Sequence, residues 1–336
     1  MATLDIFNND AFSVSNLTQL MIDIPIVPTQ LGDEGLFVER GLTTTTMMIE
    51  RMGSKLSLVP TAPRGGVGQT VGRDKRKLIP IAAVHLPQRD SIMADEVQNV
   101  RAEGTEAQVK SIQALVTRQG AIMKQGLDLT LEHMRVGALK WQVVDANGVD
   151  VLWDLYSIFG MTRQTMGFNI GTSSSSVDLK QKCIDLKRAI SKQMGGRSYR
   201  RVRVKCSESW FDKFVGHDKM KAAWDRYQDG SFHRNDQSTS DFEFAGVVFQ
   251  IYAGGIGDDL FIPDGRAYAY PEGVPNMFQT WYAPGDYMST VNTMGVPYYM
   301  SQERMQHDKG VELESQSNPI MINTLPEAVI ELKTTA

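Results

Sequence analysis

Five histidines, two cysteines and one glycine-rich run are the places where this 336-residue sequence could carry chemistry. His85, His133, His217, His233 and His307 contain no HExxH and no pair at i, i+4, so they do not present two imidazoles on one helix face as a zinc site requires. Cys183 and Cys206 stand in neither CxxC nor Cys/His spacing, which implies no disulfide framework and a reducing compartment. The run Gly65-Gly66-Val67-Gly68-Gln69-Thr70-Val71-Gly72 has the look of a phosphate cradle. However, no Gly-Lys pair completes GxxxxGK[ST], and the last glycine falls one position late for GxGxxG. There is no GxSxG elbow, and the adjacent His217 and Asp218 point apart as chain neighbours do. Asp258-Asp259 lies in a glycine-rich turn, where turn chemistry accounts for it. The expectation is no catalytic residue, no cofactor and no metal.

Charge is the chemistry that remains. Lys and Arg number 35 against 39 Asp and Glu, a net charge of -4 that argues against a dedicated nucleic-acid binder. The balance is uneven: Asp5, Asp10, Asp23, Asp33, Glu34 and Glu39 all precede the first basic residue, Arg40. Residues 60–77 reverse this, with Arg64, Arg73, Lys75, Arg76 and Lys77 against Asp74. The two segments predict contact between neighbouring copies, Asp23, Asp33, Glu34 and Glu39 meeting Arg64, Arg73, Lys75, Arg76 and Lys77. A second basic stripe, Arg200, Arg201, Arg203 and Lys205, supports a competing reading as a nucleic-acid-binding or hydrolytic enzyme.

The elements that must position these groups follow from the pattern. Pro25, Pro28 and Gly32 predict extended chain over residues 1–39. Residues 43–59 and 78–86 read as the strands of a long hairpin whose tip holds Pro60, Pro63, Gly65, Gly66, Gly68 and Gly72. Such a hairpin buries too little to be stable alone. From Thr105 to Leu139, Val109, Ile112, Val116, Met123, Leu127, Leu131, Met134 and Ala138 recur at helical spacing, and Leu115, Ile122, Leu129 and Val136 form a second line. Gly120 and Gly126 predict a kink or break in this helix, and a coiled coil is the competing reading. Two strands flank Ala146-Asn147-Gly148: a three-residue loop sets Trp141 opposite Trp153 and Val143 opposite Val151 and is the preferred register, while a two-residue loop would set Asp145 opposite Asp150.

Ser173–Ser176 mark a boundary, with Ser176 as the N-cap of a helix whose face is Leu179, Cys183, Leu186, Ile190 and Met194 and whose stop is Gly195-Gly196. A strand then alternates Val202, Val204 and Cys206 against Arg201, Arg203 and Lys205. One or two amphipathic helices follow, using Trp210, Phe211, Phe214, Val215, Trp224 and Tyr227, and then a strand pair at 241–252 and 260–270. Strands and helices are segregated, so the class is α+β. No apolar run approaches the ~18 residues of a membrane span and no signal segment opens the chain, so a soluble, unexported protein is expected. Methionine is over-represented, with 18 residues. Met47, Met48, Met52, Met123, Met134 and Met300 are expected at contacts that adapt between subunits.

Three stretches carry a family resemblance. Trp210-Phe211-Asp212-Lys213-Phe214 looks like an aromatic helix start; Phe244 to Tyr252, followed by Phe261-Ile262-Pro263-Asp264-Gly265, looks like a hairpin with a Pro-Asp corner; Asn318 to Leu332, with Pro319 and Pro326, looks like a pair of closing strands. With the order arm, hairpin, long helix, β-hairpin and compact α/β region, the chain resembles tailed-phage major capsid proteins, specifically the capsid protein E family of lambda-like phages. The resemblance implies a Hong Kong 97-type capsid fold, with an N-terminal arm (1–42), an E-loop hairpin (43–86), a P-domain with the spine helix and β-hairpin (87–177), an A-domain (178–300) and C-terminal strands returning to the P-domain (301–336). It implies a non-enzymatic subunit forming pentamers and hexamers of an icosahedral shell around double-stranded DNA, with a tail or decoration component as a further alternative. The partners it implies are scaffolding protein, portal and, in many relatives, a decoration protein, with non-specific contact to packaged DNA and no membrane. The location it implies is the virion, assembled in the host bacterial cytoplasm.

Overall fold

The computed structural model describes residues 12–25, 29–51, 77–98, 105–171, 177–221, 241–256 and 259–335. The chain divides into two compact units, one of Met1–Met47, Pro80–Arg135 and Phe278–Ile322, the other of Met48–Ile79, Val136–Met277 and Asn323–Ala336.

In the first unit, Val14–Asp23 is a helix, because a run free of Pro and Gly sets Leu17 and Met21 one turn apart and both are buried. This corrects the expectation of extended chain: Pro25 stops the helix beyond its end instead of preventing it. Gln30–Asp33 adds one more turn and buries Leu31. Val38–Gly41 pairs in parallel with Phe278–Tyr282, whose other neighbour is Pro319–Asn323. A second sheet centres on Gly310–Ser317, antiparallel to both Tyr299–Arg304 and Leu86–Met93. Helix Val14–Asp23 lies against Tyr299–Arg304, where the Met300 amide donates to Thr18 Oγ1 at 3.3 Å.

Thr105–Leu139 is one unbroken helix of 35 residues, about 50 Å long at 1.5 Å per residue. The expected break is absent. Each glycine costs about 1 kcal/mol relative to alanine, less than the burial of Val116, Met123, Leu127, Leu131 and Met134 returns. A further glycine, Gly137, has a packing reason: a Cβ there would lie 2.9 Å from the Val143 Cα of the following strand.

The second unit is built on a mixed sheet in the order Gln164–Gly167, Ile330–Lys333, Arg266–Glu272, Arg201–Cys206, Val247–Ile251, Asp241–Phe244. The strand pair expected at 241–252 and 260–270 does not form. Arg201–Cys206 lies between Val247–Ile251 and Arg266–Glu272 because its Val202, Val204 and Cys206 are fully buried and belong at the centre. Asp241–Phe244 instead makes a tight hairpin with Val247–Ile251 through Ala245 and Gly246, both left-handed (φ 52° and 75°). Helix Leu179–Met194 buries the expected face and stops at left-handed Gly195, but its N-cap is Asp178, whose carboxylate accepts from the Lys180 and Gln181 amides. Helix Glu208–Val215 stacks Trp210 and Phe214 on each other and on Phe249.

The hairpin Gln142–Val144/Val151–Asp154 also departs from its expected register. Val143 faces Trp153, and the Asp145 amide donates to the Asp150 carbonyl at 2.8 Å. In the turn, the Asn147 side chain donates to Asp150 Oδ2 and accepts from the Val149 and Asp150 amides. Thr46–Arg51 and Lys77–Ala82 pair as a two-stranded sheet. The expected hairpin tip, and with it Arg64, Arg73, Lys75, Arg76 and Met52, lies outside the described residues, as do Trp224 and Tyr227.

The methionine expectation is largely overturned. Met47, Met123, Met134 and Met300 are buried within the chain, where a flexible thioether fills gaps in its own core. Met48, with 62% exposure, remains available at the surface.

Candidate interaction site on the long helix

Four charged residues, Lys124, Asp128, Glu132 and Arg135, follow one another along the long helix at spacings of four, four and three, and therefore share one face. All four are buried. The first grips the end of helix Val14–Asp23: the Lys124 ammonium donates to the carbonyls of Met21 (2.9 Å), Ile22 (3.2 Å) and Ile24. These are carbonyls that a helix end leaves without partners, and a cation there also meets the negative end of the helix dipole. Lys124 lies 4.7 Å from the Tyr298 ring centroid, and the Tyr298 hydroxyl donates to Asp128 Oδ1. Burial pulls the Lys124 ammonium below its ordinary pKa, against the opposing pull of Asp128 and Asp23.

Two turns on, Glu132 does the converse. Its carboxylate accepts from the Leu31 amide at 2.7 Å and the Gly32 amide at 3.2 Å, at the amino end of the Gln30–Asp33 turn. Arg135 sits 3.5 Å from Glu132 and donates to Glu39 Oε1 at 2.9 Å, an oxygen that also accepts from the Tyr282 hydroxyl at 3.2 Å. Burial disfavours the Arg135 charge, but Tyr282, Glu39 and Glu132 outweigh it and hold the guanidinium above its ordinary value. The Tyr298 and Tyr282 phenols are both raised, by burial first and then by Asp128 and Glu39 respectively.

Of the site residues expected from the sequence, Glu39 therefore has a partner in its own chain. Asp23 is exposed and accepts from Gln19 Nε2 at 2.7 Å, and Asp33 and Glu34 are exposed. Lys77 opens a strand, while its basic neighbours lie outside the described residues, so the expected pairing of arm and hairpin is not on view. The buried row was missed because the helical pattern was read from apolar positions alone. Its signal was there, in charges recurring beside Met123, Leu127, Leu131 and Met134.

The basic stripe offers little to phosphate. Arg201 pairs with Glu272 at 2.6 Å, Arg203 with Glu272 and Asp241 at 3.3 Å, and Lys205 is fully buried against Gln250. A cleft of about 510 Å³ in the first unit is lined by Thr43–Thr45, His85, Asp286 and Asn318, among others. There the Asn318 amide donates to the Pro284 carbonyl and directs its Oδ1 at His85 Nδ1, 2.8 Å away. Among the described residues no group of three or more His, Cys, Asp or Glu could hold a metal, and no helix is long and apolar enough to cross a membrane.

The architecture defines a class, the Hong Kong 97-type capsid subunit. The crystal structure of a protein of an E. coli CFT073 prophage, assigned as a capsid protein, superposes with a TM-score of 0.59 at 12% identity, covering 96% of this chain and 98% of that one. A sequence model described as phage major capsid protein E matches residues 13–334, and the chain belongs to that family. The major capsid protein of Salmonella phage Felix O1 (isolate Felix O1-VT1) is 22% identical to it over 97% of both chains. That of Pseudomonas phage KPP10 is 24% identical over 96% of this chain and 97% of its own. This is a tailed-phage major capsid protein, a shell component of the virion.

Proposed function

We propose that the chain assembles with copies of itself, as pentamers and hexamers, into the icosahedral head that encloses a double-stranded DNA genome, and that it carries no catalytic activity. The family match running from residue 13 to residue 334 is the observation that supports this most, because the family it defines is that of phage major capsid protein E. In this reading, 1–42 is the arm, 43–86 the E-loop hairpin, 87–177 the P-domain, 178–300 the A-domain and 301–336 the returning strands. Assembly takes place in the host bacterial cytoplasm with scaffolding protein and portal, and the inner surface touches packaged DNA without sequence preference.

The proposed inter-subunit contact joins Asp23, Asp33 and Glu34 of one copy to Arg64, Arg73, Lys75, Arg76 and Lys77 of another, with Glu39 kept within its own chain. Opposite charge on two segments supports it. Sedimentation of the purified chain, with and without scaffold, tests the function: megadalton particles are expected, and a small oligomer with salt-sensitive DNA binding contradicts it. Charge reversal at both segments together rescues assembly lost by either reversal alone; absence of rescue shows that they do not meet.

A further inference from the structure

We infer that the cleft lined by His85 and Asp286 binds a primary alkylammonium group. The cleft lies wholly within the first unit, and its volume of about 510 Å³ is that of a small-molecule site. What it presents follows from a chain of hydrogen bonds with backbone groups at two points. The Asp286 amide can only donate, so the Gln316 side-chain atom it meets at 3.1 Å is the oxygen. The Pro284 carbonyl can only accept, so the Asn318 atom 2.9 Å away is the nitrogen, which also donates to Gln316 Oε1 at 3.3 Å. Asn318 therefore turns its oxygen to His85 Nδ1, 2.8 Å away, and that nitrogen must carry the proton. In the neutral ring His85 Nε2 is left with its lone pair and can only accept.

Among the described residues that line the cleft, Asp286 alone carries a formal charge, and none is Lys or Arg. A negative charge, an imidazole lone pair and the hydroxyls of Thr43 and Thr45 select a donor-rich cation over a phosphate or a carboxylate. An ammonium supplies three donors, and an alkyl stem suits the apolar lining of Val84, Pro284 and Val291. The walls are also braced. Gln316 is fully buried and Asn318 is 5% exposed, and their amides hold Pro284, Asp286 and His85, while the Thr290 hydroxyl donates to the Gly285 carbonyl at 2.7 Å. A site ordered in this way spares a ligand the cost of ordering it. Two sources offer the chemistry, a free diamine and a lysine side chain of a second copy; only the second rests on the shell reading.

Isothermal titration of the full-length unassembled chain with 1,4-diaminobutane tests this. A Kd of about 1 mM or below is expected, and Asp286→Asn should weaken it at least about tenfold. Glu303→Gln, which alters an exposed carboxylate of the same unit outside the cleft, should leave it unchanged. Should Asp286→Asn fail to fold, His85→Phe, which removes the lone pair at another exposed position, is expected to weaken binding in its place. No measurable binding of the diamine, equal losses in Asp286→Asn and Glu303→Gln, or 1,4-butanediol or phosphate binding as tightly as the diamine would overturn the inference. The same titration on closed particles separates the sources: binding retained there assigns the cleft to a free diamine, and binding lost on closure assigns it to a neighbouring copy. A chain that forms shells but shows no affinity for the diamine contradicts this inference and leaves the shell reading standing.

Discussion

The ion pair between Arg135 and Glu39 makes an asymmetric prediction. The Arg135 side chain is 10% exposed and lies between Glu132, at 3%, and Glu39, at 44%. Arg135→Met removes the cation and leaves the Glu132 carboxylate buried, still accepting from the Leu31 and Gly32 amides. Breaking a buried pair in this way costs about 3–5 kcal/mol, and the hydrogen bonds that stay on the carboxylate place the expectation at about 3. Glu39→Gln removes a charge that water already screens and keeps a carbonyl for Arg135 and Tyr282, so its cost is about 1 kcal/mol or less. Urea denaturation of the unassembled chain measures both. With a slope of about 3 kcal/mol per molar, Arg135→Met lowers the midpoint by about 1 M and Glu39→Gln by about a third of that. The double variant should show a coupling of about 0.5–1 kcal/mol. Equal costs for the two variants, or an Arg135→Met chain within about 0.5 kcal/mol of the parent, would refute the reasoning.

Gly137→Ala gains helix propensity of about 1 kcal/mol but drives a methyl to 2.9 Å from the Val143 Cα, a backbone atom, so a net loss of about 1–2 kcal/mol is expected in the same titration. Burial would raise the pKa of Glu272, but hydrogen bonding to Arg201 and the charge of Arg203 hold it below the ordinary 4.5. A carboxyl depressed in the folded state contributes stability above the unfolded value and loses it as pH falls through the lowered one. Stability measured downward from pH ~5 should therefore decline less steeply in Glu272→Gln than in the parent.

Element types were legible wherever one face alone is buried. Leu179, Cys183, Leu186, Ile190 and Met194 announce their helix, and Val202, Val204 and Cys206 their strand. Lys205 shows where that logic stops: alternation sends it to solvent, but its strand is central in a six-stranded sheet and both faces are covered. The strand partners of 241–252 were not legible for a related reason, since adjacency in sequence does not reveal that Arg201–Cys206 comes between them. The helix at Val14–Asp23 was readable from Leu17 and Met21, but the prolines beyond it were given too much weight. The charged row under it was hidden because a charge on an apolar face is ordinarily a surface group, and only tertiary contact reveals that helix ends supply its partners.

Electron microscopy of particles formed by the purified chain tests the capsid account most directly. Closed shells with capsomers of five and six subunits are predicted, in which helix Val14–Asp23 of each copy stays on Lys124 of that copy's own long helix. A chain that remains a small oligomer under all assembly conditions, including with scaffold present, would contradict it.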